Sequence, residues 1–178
     1  MLYALAQLPD LTEYSLLHSR WKRALHVTAF VIGVVIFGGS RLIGVNTSAS
    51  AAPVGFYLRT APRLVRGSLV EVCLPHEIAW LGVERGYLGR GWQCADGSEP
   101  VGKIILGVPG DIVHIQSELV LAADTAGRSL KHFPFGFYRL KPGEIWLFGS
   151  NSHSWDSRYY GPIPVGAMRA SLSPLVTW

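Results

Sequence analysis

Three stretches of this sequence concentrate residues that can do chemistry. The first is Asn46-Thr47-Ser48-Ala49-Ser50-Ala51-Ala52-Pro53-Val54-Gly55-Phe56-Tyr57, rich in hydroxyls. A serine hydroxyl is a weak nucleophile until a neighbouring base takes its proton. The second is Lys103-Ile104-Ile105-Leu106-Gly107-Val108-Pro109-Gly110-Asp111, where a lone lysine enters an apolar strand. Burying an unpaired ammonium is costly, so this lysine either lies on the polar face of an edge strand or has a depressed pKa. A neutral amine could activate a serine, but the ordinary lysine pKa of about 10.4 must first fall by about three units, roughly 4 kcal/mol of destabilised ammonium. The third stretch is Gly149-Ser150-Asn151-Ser152-His153-Ser154-Trp155-Asp156-Ser157-Arg158-Tyr159-Tyr160-Gly161. Asp156 and Arg158 are suited to an ion pair there, and His153 is a rival base with no evident carboxylate partner. Taken singly, the three stretches read as a Ser/Ala-rich linker, an edge-strand lysine and a polar turn.

Short apolar or alternating runs separated by Gly/Pro punctuation must position these residues. Strands are expected at 54–58, 69–73, 101–107, 111–115, 119–121, 137–140 and 144–148. Turns are expected at Arg66-Gly67, Pro109-Gly110, Lys141-Pro142-Gly143 and Gly161-Pro162. No amphipathic helix stands out after residue 46. The roughly 130 residues from there onward can bury a β-sandwich or barrel core.

Composition narrows the class. Charged residues are 16% of the 178 and hydrophobic ones 49%, which excludes a disordered or acidic chain. The net charge of +4 is scattered, so nucleic acid is not an expected partner. Residues 24–39 carry no charge, and with Leu42, Ile43 and Val45 the apolar run reaches 22 residues. As a helix that is about 33 Å, enough to cross a bilayer core. Trp21 and Arg41 flank it as interfacial groups. A membrane anchor is the first reading. A cleaved signal peptide is the second, because Ala49-Ser50-Ala51 mimics a cleavage site, although Asp10 and Glu13 precede the apolar run. A buried core helix is the third. Arg20, Lys22 and Arg23 suggest a cytoplasmic N-terminus, but Arg59, Arg63 and Arg66 follow closely and weaken the rule. Residues 1–19 are compatible with a short helix along the membrane face.

Cys73 and Cys94 lack metal-ligand spacing, so zinc is not expected. Two free thiols and a disulfide both remain open, the latter implying an oxidising compartment. The segment between them reads as a long irregular insertion.

Together the three stretches resemble the signal-peptidase clan of serine proteases. Ser50-Ala51-Ala52-Pro53 is similar to the family's nucleophile box, and Lys103 stands before Gly107-Val108-Pro109-Gly110-Asp111 as the base lysine does before G-x-P-G-D. Val65-Arg66-Gly67-Ser68-Leu69-Val70 resembles the R-G-D-x-V strand, with Ser68 replacing the acid. Ser154-Trp155-Asp156-Ser157-Arg158-Tyr159-Tyr160-Gly161 resembles the S-x-D-S-R-Y-x-G box. The boxes occur in family order over residues 46–161. Within the clan, the small size, the single anchor and the S-x-S-x-x-P-x-G-x-Y start are most similar to the TraF-type peptidases of conjugative transfer.

That resemblance implies a mainly β, signal-peptidase-like barrel or sandwich after one transmembrane helix. Residues 1–23 would be a cytoplasmic or interfacial segment, 24–45 the anchor and 46–178 a periplasmic domain at the bacterial inner membrane. It implies Ser50 as nucleophile, Lys103 as general base and Asp156 as a required residue. Ser48 and the Ser50 N–H would hold the oxyanion, Ser154 would orient the lysine, and Arg158 would support Asp156. No metal or cofactor is required. The implied partners are the lipid bilayer and a membrane-bound precursor similar to a propilin, which is hydrolysed or cyclised. A general signal peptidase and a non-catalytic envelope β-domain are the alternatives.

Overall fold

The computed structural model describes residues 11–178, in two compact units divided after Arg41. The first unit is helical. Helix α1 spans Leu11–Leu42. Its stretch Trp21–Gly39 is long and apolar enough to cross a membrane, and its Phe30, Val34, Val35 and Ile36 side chains are all exposed. The Arg41 guanidinium lies 5.0 Å from the Phe37 ring centroid. Of the expected interfacial segment, residues 1–10 lie outside the described residues.

The second unit is mainly β. Strands β1 (Ile43–Asn46), β2 (Gly55–Thr60), β3 (Leu69–Val72), β4 (Val101–Gly107), β7 (Glu144–Phe148), β8 (Ile163–Pro164) and β9 (Met168–Thr177) form one sheet. Its order is β1-β2-β9-β3-β4-β7-β8, antiparallel throughout and curled into a half-barrel. Strands β5 (Ile112–Ile115) and β6 (Gly136–Arg139) make a separate two-stranded ribbon. Alternation drives β4: Lys103, Ile105 and Gly107 point inward, while Leu106 is exposed. Val70, Val72, Ile105, Ile145, Leu147 and Trp155 form the main core, and Val113, Ile115, Leu140 and Trp146 a smaller one under the ribbon.

Several expectations need correction. Ile43–Asn46, counted in part with the apolar run, pairs with β2 from Ile43↔Leu58 to Asn46↔Gly55, so the helix ends three residues before Val45. The expected strand at 119–121 is instead entered by a 3-10 turn, Ser117–Leu119. Side chains take its backbone groups: the Leu119 carbonyl accepts from Arg158 Nη1 at 2.9 Å, and the Leu121 N–H donates to Tyr159 Oη at 3.1 Å. The segment between the cysteines is not wholly irregular. It holds helix α2 (His76–Glu84), whose buried residues Ala79 and Gly82 are small. A Cβ on Gly82 would come within 2.6 Å of Leu88 Cδ1, so the helix packs through its absence of side chain.

Cys73 and Cys94 are joined as a disulfide with 5.7 Å between their Cα atoms. It fastens the end of β3 to the loop beyond α2, closing 21 residues of sequence separation. In the chain-entropy account such a loop contributes about 3 kcal/mol. Cys73→Ser should therefore lower the thermal midpoint, and reductant should lower the wild type but not the variant. Identical melting with and without reductant in the wild type would contradict this.

Candidate active site

The three chemical stretches converge. β4 is an interior strand, flanked by β3 through Val70↔Lys103 and by β7 through Ile104↔Phe148. Lys103 is 3% exposed, which excludes the edge-strand reading. Its Nζ lies 2.7 Å from Ser154 Oγ and 3.4 Å from Ser50 Oγ. Burial removes water from the ammonium and lowers its pKa from 10.5 to about 8. The Asp156 charge pushes it up again, and Arg158 pushes it down. As an ammonium the group donates to both hydroxyls. As a neutral amine it can accept the Ser50 proton while an N–H still donates to Ser154.

Ser50 is half-buried on the loop joining β1 to β2, and the adjoining Ala51 is buried. The Ser50 carbonyl accepts from the Asn151 N–H at 3.1 Å. The close approach depends on Gly149, because a Cβ there would sit 2.7 Å from the Ser50 carbonyl oxygen and collide with Ser154. Ser48 is exposed on the same loop, with its N–H directed at Asn46 Oδ1 at 3.5 Å.

Asp156 supports this arrangement from behind. Oδ1 accepts from the Arg158 N–H and Nε at 3.1 and 2.9 Å. Oδ2 accepts from the Gly149 N–H at 2.8 Å and from Arg158 Nη2 at 2.7 Å. Four donors fill the acceptor sites of one carboxylate. Arg158 also donates to the carbonyls of Gly149, Asn151 and Leu119, and its Cζ stacks 4.8 Å from the Phe148 ring centroid. Burial opposes the guanidinium charge, but Asp156 holds its pKa above the ordinary value. Helix α3 (Ser157–Tyr160) starts here with Asp156 as its cap. His153 is exposed on the outside of the turn, with Nδ1 3.3 Å from Ser152 Oγ and its N–H on Asn151 Oδ1.

A family model described as "Signal peptidase, peptidase S26" matches residues 22–176. The chain belongs to the signal peptidase family, peptidase S26. The conjugal transfer protein TraF of Agrobacterium fabrum is 35% identical to it over 179 residues, which is 88% of this chain and 98% of that protein. A plasmid transfer protein TraF of Escherichia coli is 32% identical over 172 residues, covering 85% and 93%. Mitochondrial inner membrane protease subunit 1 of Schizosaccharomyces pombe is 33% identical over 79 residues, 44% of this chain and 41% of that one.

In this member of the family, Ser50, Lys103, Ser154, Asp156 and Arg158, the residues that the sequence motifs single out, all lie in one connected cluster. The sequence alone gives no role to Asn46, Gly149 or Asn151, which place the Ser50 loop. It also gives none to the Arg66–Asp111 ion pair, which ties the R-G-S strand to the G-V-P-G-D turn and holds the Asp111 carboxyl below its usual range.

Proposed function

We propose that this chain is a membrane-anchored serine endopeptidase of conjugative transfer, with Ser50 as nucleophile and Lys103 as general base. The carrying observation is a buried lysine whose Nζ lies 3.4 Å from the Ser50 hydroxyl and whose pKa falls to about 8. In this reading the neutral amine takes the Ser50 proton as Oγ attacks the scissile carbonyl. The Ser50 N–H and the Ser48 hydroxyl hold the developing oxyanion. Lys103 returns the proton to the leaving amine, and Ser154 keeps it aimed throughout. Water, or the substrate's own N-terminal amine, then resolves the acyl-enzyme.

The conjugal and plasmid transfer names of the relatives support a role in conjugative transfer, for which the family resemblance implies a membrane-bound propilin as substrate. The apolar stretch Trp21–Gly39 supports a single-pass anchor, which the conjugative reading assigns to the inner membrane. The disulfide supports an oxidising compartment, hence a periplasmic catalytic unit with a cytoplasmic N-terminus. The likeness to a mitochondrial inner membrane protease favours, as a second reading, a general peptidase for secretory signals. Burial of Ala51 argues against cleavage at Ala49-Ser50-Ala51 and so against a non-catalytic secreted domain.

The test is co-expression with the propilin of the same transfer system and, separately, with a secretory preprotein. Processing of the propilin alone supports the conjugative reading. Processing of neither overturns the enzyme. A product lighter by one water than the linear pilin identifies cyclisation. For the purified full chain, kcat/KM should rise about tenfold per pH unit and level off near the Lys103 pKa of about 8. A profile flat between pH 6 and 9 would contradict a lysine base.

A further inference from the structure

Ser50 sits in an unusual place for a group that must be held still. It lies on the loop of a β-hairpin whose last strand pair is Asn46↔Gly55, leaving residues 47–54 outside the ladder. That is longer than the two to five residues of most hairpin loops. β1 is an edge strand of the sheet, and Thr47, Ser48, Ala49 and Pro53 are exposed. Loops of this kind are mobile unless their polar groups are tied down.

One side chain ties most of this loop. Asn46 Nδ2 donates to the Ala52 carbonyl at 3.0 Å and to the Pro53 carbonyl at 2.9 Å. Both amide hydrogens are thereby used, while Oδ1 faces the Ser48 N–H at 3.5 Å. The bonds run from the start of the loop across to its far side, so Ser50 is enclosed between them. The Pro53 carbonyl is also gripped by Tyr57 Oη at 2.6 Å, and the Val54 carbonyl accepts from the Trp178 N–H at 3.0 Å. On the Lys103 side the loop is held by the Asn151 N–H on the Ser50 carbonyl.

We propose that Asn46 is a positioning residue for the reaction: a side-chain clip that closes the 47–54 loop and presents Ser50 to Lys103 in attack geometry. The inference rests on Ser50 being the nucleophile, as above. The clip acts on the loop and not on the base. Asn46 makes its bonds to backbone carbonyls, whereas the lysine pKa is set by burial and by Asp156 and Arg158. Loss of the clip should thus lower the rate without moving the pH at which the base titrates.

The experiment compares Asn46→Ala and Asn46→Asp with the wild type, as full chains in detergent, with Ser50→Ala as control. Aspartate keeps the size and the acceptor but lacks both amide donors. A peptide spanning the propilin cleavage site is the substrate, and limited proteolysis reads the loop independently of activity. Both variants should lose about tenfold to a hundredfold in kcat, as expected for a reacting group misplaced by about 1 Å. KM should change less than about twofold, and in Asn46→Ala, which adds no charge, the inflection of the pH profile should stay near 8. Cutting within 47–54 should become at least about tenfold faster, with the thermal midpoint unchanged. The clip is refuted by wild-type kcat and wild-type proteolysis in both variants, by an inflection that moves in Asn46→Ala, or by losses that merely follow a lowered midpoint. An active Ser50→Ala control would instead overturn the nucleophile, whatever the loop does.

Discussion

Lys103→Met should abolish processing and at the same time make the protein more stable at neutral pH. The rate should fall by at least about a hundredfold, since no other buried base adjoins Ser50 among the described residues and a general base contributes roughly 10²–10⁴. The stability gain follows from the same burial that makes the lysine a base. Holding its pKa at about 8 rather than 10.5 destabilises the folded state by roughly 3 kcal/mol at neutral pH. Methionine has a similar length, fills the 3%-exposed site and carries no charge. It forfeits the hydrogen bond to Ser154, worth about 1 kcal/mol. A net gain of about 2 kcal/mol remains.

The pH dependence has a definite sign. Below about pH 8 the amine is charged in both the folded and unfolded chains, and the burial penalty is full. Between about 8 and 10.5 the folded chain releases its proton while the unfolded chain keeps it, so wild-type stability rises with pH. Above 10.5 both are neutral and the penalty is gone. The advantage of methionine should therefore be largest at pH 7 and fade toward pH 10. Denaturant titrations of both proteins at the two pH values measure it. A variant less stable at pH 7, or an advantage independent of pH, would show that the lysine is not strained by burial.

How far the sequence reveals this site depends on whether a residue acts through its own type or through its neighbours. The sequence predicts β4 and β7 at their observed bounds, because each is a short apolar run next to Gly/Pro turn residues. The two-residue period of a strand puts Lys103 on the same face as Ile105. Asp156 and Arg158 are two residues apart, and their ion pair needs no tertiary information. β9 was not expected. Its Ser171, Ser173 and Pro174 have little strand propensity, and it forms because β2 and β3 supply partners on both sides. Pro174 lies beyond the last β3 pair at Ser171, where its missing N–H breaks no bond to that strand. α2 was missed because it buries Ala79 and Gly82 rather than an apolar stripe. The roles of Asn46 and Asn151 were illegible for a different reason. Each acts on a carbonyl whose position depends on how the hairpin loop folds back. An Asn closing a strand before a Ser/Pro-rich loop was the only available hint.

Asp156→Ala should unfold the catalytic unit or bring it close to unfolding. Asp156 is 0% exposed and Arg158 5%, so removing the carboxylate leaves a guanidinium buried without its counter-charge. The Gly149 N–H loses its acceptor as well. Breaking one side of such a pair typically costs 3–5 kcal/mol, against a total stability of about 5–15 kcal/mol. Asp156→Asn keeps the shape and part of the acceptor capacity, so it should remain folded in the cold and allow kinetics. Two effects should then appear together. The rate should fall, because the segment from Gly149 to Ser154 that supports Ser50 and Lys103 is anchored through Asp156. The inflection of kcat/KM should move below about 8, because the Asp156 charge raises the Lys103 pKa and asparagine has none. A residue that touched the substrate as an acid or base would instead delete one limb of the profile. An Asp156→Ala protein as stable as wild type would refute the structural anchor. An Asp156→Asn inflection that stays put or rises would refute the electrostatic link to Lys103. The lower inflection would mark Asp156 as the group that keeps this lysine from becoming too weak a base, since burial and Arg158 both act to depress it.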